Sequence, residues 1–358
     1  MCIELIKGLY DSQASFPKEE DYYHNAQILI ENEGISSQMF YLLNNSGKLQ
    51  QTPLFFQKFL KENYEKSLVQ NLFIKSQLEQ ILRKLEENRI EVIPLKGVLF
   101  AEKYFGYYGA RPTSDIDLLI RLEDLEKAIQ VAEDLQFFIE EKQITDHFHC
   151  SLGKKLKGSM IPLRVEFHWN LVLEKTADLN VEPLWDQAVP LKGSLYVKEL
   201  SDYHAFYMIC LHGWRHNLDS LKYFIDIIQM VHLLQGKLDY DSLFKEAALH
   251  KTLNRMTRTL TIVYQRFPHL DKIKYLSYKS KNIYRQYYSD KGVKKYIDFF
   301  DYQFLSYDSL RHGLIGISQW LFPTKSELRT QFGDRSTKQM ILAVTLKRIK
   351  NFIKSIAP

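Results

Sequence analysis

Asp115 and Asp117 stand two residues apart in ARPTSDIDLLI (110–120), a run that otherwise reads as a buried strand. Residues two apart in a strand point to the same face, at a rise of ~3.3 Å per residue. Aspartate is a poor strand former, and like charges on neighbouring same-face positions repel. A divalent cation removes that repulsion. Two carboxylates at this spacing suit Mg²⁺ or Mn²⁺, which take one or two protein carboxylates together with phosphate oxygens and water. Two such ions, ~3.5–4 Å apart, can activate an attacking hydroxyl and stabilise a leaving pyrophosphate. The bland alternative is a pair of solvated aspartates.

A third acid follows in IPLRVEFHWNL (161–171), where Val165 and Phe167 alternate with Arg164, Glu166 and His168. The polar trio shares one face. If this strand lies beside the DID strand, Glu166 completes an acidic triad as metal ligand and as acceptor of a proton from an incoming hydroxyl. Otherwise it pairs with Arg164 at the surface. His168 either orients Glu166, binds substrate or packs on Trp169.

The phosphate side is sought in IPLKGVLFAEKYF (93–105), a strand, a Lys-Gly turn and a helix start. Backbone N–H groups at a helix N-terminus favour phosphate, and glycine lets the backbone come close. Lys96 adds a cation, Gly97 the turn, and Asp115 follows 18 residues later. Arg111 is a phosphate or carboxylate partner, or else a surface arginine of a mobile loop. Ser114, directly before Asp115, is placed with this group.

Other polar residues read more quietly. His212 and His216 are four apart in HGWRH, which lacks the acidic second position of HExxH and carries a helix-weakening glycine. Packing, or an interaction with Asp226, is the expectation. Asp226, inside the apolar run YFIDIIQMV, needs a partner such as Lys222 one turn earlier, or faces the cleft and positions an acceptor. Cys150 and Cys210 lie in apolar surroundings and are expected to pack.

The elements that must hold these residues follow from periodicity. Residues 52–88 read as one long or once-broken helix, with Thr52 as a cap and Pro53 at its first position. Shorter helices precede it, separated at NEG and NNSG. Then come a strand at 89–95, a helix at 98–105, a Gly/Pro-marked loop at 106–114 and the strand at 115–120. An amphipathic helix at 123–137 is followed by strand-like runs at 144–153 and 160–171 joined by KKLKGS. After about residue 200 the chain reads as helical to its end, with no internal repeat.

The chain has 358 residues, 45% hydrophobic and 25% charged, within the ordinary globular range. Three scattered cysteines form no disulfide framework or CxxC pattern, and a reducing compartment, the cytoplasm, is expected. The start MCIELIKGLYDSQ lacks the layout of a signal peptide, and no apolar stretch approaches the ~18 residues of a membrane span. Charge is uneven. Residues 251–358 hold 21 Lys and Arg against 7 Asp and Glu; the first 250 hold 27 against 36. Residues 275–300 interleave cations with tyrosines, the makings of a nucleic-acid surface or of an aromatic-rich helical core with a charged exterior.

The order strand–turn–helix, loop, DhDh strand and later acidic strand resembles the polymerase-β-like nucleotidyltransferase superfamily. More narrowly, LKG, RPTSDIDLLI and VEFHW, with LHG (211–213), LKYFIDI (221–227) and LFPTKSELRTQFG (321–333), resemble a bacterial family of uncharacterised nucleotidyltransferases. The resemblance implies metal-dependent transfer of a nucleoside monophosphate from an NTP to an acceptor. Asp115 and Asp117 match the metal-binding pair, and Glu166 the third acid. Lys96-Gly97 stands where the superfamily usually has Gly-Ser or Gly-Gly, and Glu166 replaces an aspartate.

The expected fold is α+β: a small mixed-sheet catalytic module at 90–200, a helical N-terminal region at 1–89 and a basic helical C-terminal domain at 201–358. The acceptor is a small molecule, a natural-product peptide or RNA, including a tRNA end. The rival reading is a non-catalytic nucleotide sensor or RNA-binding module on the same fold.

Overall fold

The computed structural model describes residues 3–140, 148–156, 161–278, 301–322, 328 and 338–356. Three helices open the chain, α1 (Ile3–Tyr10), α2 (Glu20–Asn32) and α3 (Ser36–Asn45). Helix α4 (Leu54–Glu87) then runs for 34 residues without a break, which settles the choice between one helix and two. At 1.5 Å per residue it is about 51 Å long. Its two ends serve different cores. Phe56 and Leu60 pack among helices, whereas Ile74, Leu78, Ile81, Leu82 and Leu85 pack beneath a sheet.

That sheet has five strands: β1 (Val92–Pro94), β2 (Asp115–Ile120), β3 (Phe138–Ile139), β4 (His149–Lys154) and β5 (Leu163–His168). Their spatial order is β1-β2-β5-β4-β3. Only β2 and β5 are parallel, and the other pairs are antiparallel. The parallel register sets Asp117 opposite Glu166 and Asp115 opposite Arg164. Between the strands lie α5 (Val98–Phe105) and α6 (Leu125–Asp134). The helix expected at 123–137 is shorter, because a 3₁₀ turn precedes it at Leu122–Asp124 and Gln136 adopts a positive φ of 68°. The strand expected at 144–153 is described from His149, its first residues lying outside the described residues; most of the KKLKGS turn lies outside as well.

A short helix α7 (Glu182–Asp186) and the ribbon β6 (Val189–Pro190) with β7 (Lys198–Glu199) lead into α8 (Asp202–Arg215), α9 (Leu221–Leu234), α10 (Tyr240–Leu249), α11 (Leu253–Arg266) and α12 (Leu270–Ile273). Beyond a π turn at Asp301–Leu305 come α13 (Leu310–Leu321) and α14 (Lys338–Ile356). The buried apolar residues form two clusters. One joins α1–α3 to α8–α12; the other fills the space between β2, β4 and β5 and the helices α4 and α6. The architecture is therefore a small mixed sheet flanked by helical regions, as the α+β expectation had it. No described helix is long and apolar enough to cross a membrane. Most of the tyrosine-rich basic stretch, 279–300, lies outside the described residues.

Candidate active site

The period of β2 sorts its side chains. Ile116, Leu118 and Ile120 enter the core under the sheet, and Asp115 and Asp117 point the other way. Asp117 is buried and Asp115 partly exposed. Parallel pairing brings Glu166 of β5 alongside, so the three acids expected from the sequence border one cleft. Lys96, Gly97, Arg111 and Ser114 border it too, the last with its Oγ 3.4 Å from Asp115 Oδ1.

The turn before α5 reaches this cleft because Leu95 N donates to Asp117 O at 3.0 Å. Gly97 has φ +79°, a conformation that side chains with a Cβ rarely adopt. A Cβ built there would touch Thr113 Cγ2 at 3.4 Å and Asp115 O at 3.7 Å. Lys96 Nζ consequently stands 3.0 Å from Asp117 Oδ2. The two form an ion pair that stabilises the Asp117 anion.

His168 completes the acidic centre. Its Nε2 lies 3.1 Å from Asp117 Oδ1 and 3.3 Å from Glu166 Oε2, so the imidazole bridges both acids, buried with Asp117 while Glu166 stays partly exposed. Of its three expected roles, orienting Glu166 is the one this contact satisfies. Burial opposes ionisation of Asp117, but Lys96 and His168 outweigh it and hold the carboxyl far below the usual range. Partial burial likewise opposes ionisation of Glu166, but the His168 hydrogen bond lowers it. Burial and then the Asp117 charge push Asp115 up. His168 is raised, since its bonds to Asp117 and Glu166 overcome the cost of burying the imidazolium.

A buried carboxylate beside two more acids, its charge balanced here by Lys96 and His168, is a donor set that fits a divalent cation. Ligand atoms of Asp117, Glu166 and His168 lie within 4.8 Å of one another, the one such grouping of three among the described residues. Oxygen donors suit Mg²⁺ and Mn²⁺, and imidazole is accepted more readily by the latter.

The loop from Gly106 to Ser114 delivers Asp115 because α4 clamps it. Asn71 Nδ2 donates to Tyr108 O at 2.8 Å and Arg111 O at 2.7 Å, while Thr113 N donates to Asn71 Oδ1 at 3.1 Å. Gln70 Nε2 adds a bond to Thr113 O at 2.9 Å. Arg111 is therefore not a mobile surface arginine. It is buried, and its guanidinium grips Asp226 of α9 through Nε to Oδ1 and Nη2 to Oδ2, both 2.8 Å. This answers what partners Asp226: Arg111, supported by Gln38 Nε2 at 3.3 Å, rather than Lys222.

The opposite wall of the cleft comes from α8 and α9 and carries His212, Arg215, His216, Lys222 and Tyr223. His216 and Tyr223 stack at 4.9 Å, and His212 meets both edge-on. The histidines thus pack against each other and Tyr223, with Asp226 bound elsewhere. Burial, then the charges of Lys96 and of Arg215 respectively, lowers His212 strongly and His216 to about 4. Gly213 sits within α8 because a Cβ would come within 3.0 Å of Leu218 Cδ2 and 3.4 Å of Ile227 Cδ1. Arg215 and Tyr223 were not singled out from sequence. The signal was there in RH at a helix end followed by Lys-Tyr opening the next, but nothing local turns it toward the acids.

A family model described as an uncharacterised nucleotidyltransferase matches residues 23–268, which include every residue of the site. No curated protein matches the chain. Among solved structures, the crystal structure of JHP933 from Helicobacter pylori aligns over 80% of this chain and 97% of its own, at 12% identity and a TM-score of 0.29.

Proposed function

The chain belongs to the uncharacterised nucleotidyltransferase family, and on that premise we propose that it moves a nucleoside monophosphate from an NTP to an acceptor in a metal-dependent reaction. The observation that carries this reading is the Asp117–Glu166 register pair, which sets a third acid beside the aspartates of β2 in one cleft. Asp115, Asp117 and Glu166 would hold Mg²⁺ or Mn²⁺, and the bound ion would offset negative charge on the phosphates. Asp117 ionises readily because Lys96 and His168 stabilise its anion. Glu166, the more open of the two acids on His168, stands to accept the acceptor's proton. The Lys96-Gly97 turn and Ser114 border the phosphate path, and Arg111 fixes the loop that carries Asp115.

The acceptor oxygen would attack the α-phosphorus and form the new P–O bond. The bond to the bridging oxygen breaks, and pyrophosphate leaves with the electron pair. Catalysis would be positioning and electrostatics, as in phosphoryl transfer generally. The acceptor is a small molecule, a peptide or an RNA.

The test follows α-³²P from each NTP, with Mg²⁺ or Mn²⁺, into small-molecule, peptide, protein and RNA fractions of a cell extract. Label in one fraction with the wild type, absent with Asp115→Asn/Asp117→Asn, identifies both reaction and acceptor class. Nucleotide binding without acid-dependent label in any fraction overturns transfer and points to a nucleotide sensor.

A further inference from the structure

Four cations border the cleft, and two are already engaged. Arg111 is locked to Asp226, and Lys96 Nζ lies at the Asp117 carboxylate. Among the described residues, the side-chain nitrogens of Lys222 and Arg215 have neither a hydrogen bond nor an ion pair. The Arg215 guanidinium lies over the Phe148 ring at 4.6 Å and is open to the cleft. The Lys222 ammonium is partly buried at the first turn of α9, and burial together with the nearby Arg111 charge lowers it to about 8. Both are held on a built wall: Tyr302 Oη donates to Arg215 O at 2.7 Å, and Ser220 Oγ caps α9 through Lys222 N. Among the described residues neither has a counter-charge in direct contact, only the more distant acids of the cleft, so both can form direct charge-assisted bonds to an entering anion. His212 and His216 are neutral near pH 7 and leave that role to Lys222 and Arg215.

We propose that Lys222 and Arg215, on the helical wall facing the acids, form the polyphosphate subsite of the cleft, while Lys96 serves Asp117. The inference rests on the nucleotidyl-transfer reading in its choice of ligand, a nucleoside triphosphate, and names where the β- and γ-phosphates bind. Acids and cations line the same cleft, so phosphates seated against the helical wall bring their anionic oxygens to Lys222 and Arg215.

Titration calorimetry with inorganic tripolyphosphate in metal-free buffer tests it without requiring turnover. Lys222→Gln and Arg215→Gln should each weaken binding about tenfold, the size of a lost charge-assisted hydrogen bond. Lys96→Gln should weaken it less than either of these changes, because Lys96 Nζ is already held at the Asp117 carboxylate. Lys222→Arg should retain binding, and thermal melts check that every variant folds. The proposal falls if the Lys222 and Arg215 variants bind like the wild type, if Lys96→Gln weakens binding most, or if the wild type does not bind tripolyphosphate. Tripolyphosphate binding that depends on Lys222 in a protein that transfers no label would overturn the transfer reading and leave the subsite standing. Acid-dependent label with an unchanged KM for NTP in Lys222→Gln would do the reverse.

Discussion

Arg111 and Asp226 are 115 residues apart and form a bidentate ion pair, with both N···O distances at 2.8 Å and almost no exposure to solvent. This pair ties the loop that delivers Asp115 to the helix that opens with Lys222. It joins the sheet side of the cleft to the helical side, so the spacing between acids and cations depends on it.

Asp226→Asn should therefore destabilise the fold by about 3–5 kcal/mol, because it leaves the guanidinium buried against a neutral amide. Urea unfolding measures this. Arg111→Met combined with Asp226→Leu should cost clearly less than the two single changes added together. Strict additivity would show that the two residues do not act as a unit.

His168→Ala removes the group that bridges Asp117 and Glu166. Partners that orient metal ligands are worth about 10–100-fold in affinity or activity. Mn²⁺ affinity, read by electron paramagnetic resonance, should fall by about tenfold or more, with tripolyphosphate affinity in metal-free buffer changed far less. Equal losses in both would mean that His168 supports the whole cleft rather than the acids.

Gly97→Ala should cost about 1–3 kcal/mol from backbone strain at φ +79°. The neighbouring atoms leave room for the methyl group, so the loss comes from the dihedral itself. Refitting of the turn would displace Lys96 from Asp117, and label transfer should drop together with the urea midpoint. A stability equal to the wild type would refute the strain.

His232 and His269 face each other, Nε2 to Nε2, at 3.4 Å. Burial and then the His269 charge lower His232 to about 4, and burial lowers His269. Both are neutral in the fold, whereas the unfolded chain takes up protons below about pH 6.5. Stability is therefore fully present above that pH and is lost as pH falls toward 4. His216, also near 4, adds to the same loss. Urea midpoints between pH 4 and 7.5 should decline in this window, and His232→Gln should flatten the decline. An identical pH profile in the variant would rule out the pair as a source.

The acidic face of β2 and of β5 was legible from sequence because side-chain alternation is local. It put Asp115 with Asp117, and Glu166 with His168, before any contact was known. The Lys-Gly turn was legible for the same reason: glycine marks where the backbone must take a conformation closed to other residues. Asn71 was not legible as the clamp of the 106–114 loop, since mid-helix asparagine has no local signature and its three bonds cross about 40 residues. Arg111 could be read as seeking a carboxylate, but not which one.

The sequence by itself determined the chemistry on offer: three acids, a glycine turn and cations, each on an element whose period or turn type fixes which way it faces. Tertiary structure decided the neighbours. Parallel pairing of β2 with β5 set Glu166 against Asp117, and the packing of α8 and α9 across the cleft turned Arg215 and Lys222 toward the acids. Orientation along a strand or helix follows from backbone geometry over a few residues. Which elements meet depends on burying the apolar faces of the whole chain at once, and no local stretch encodes that.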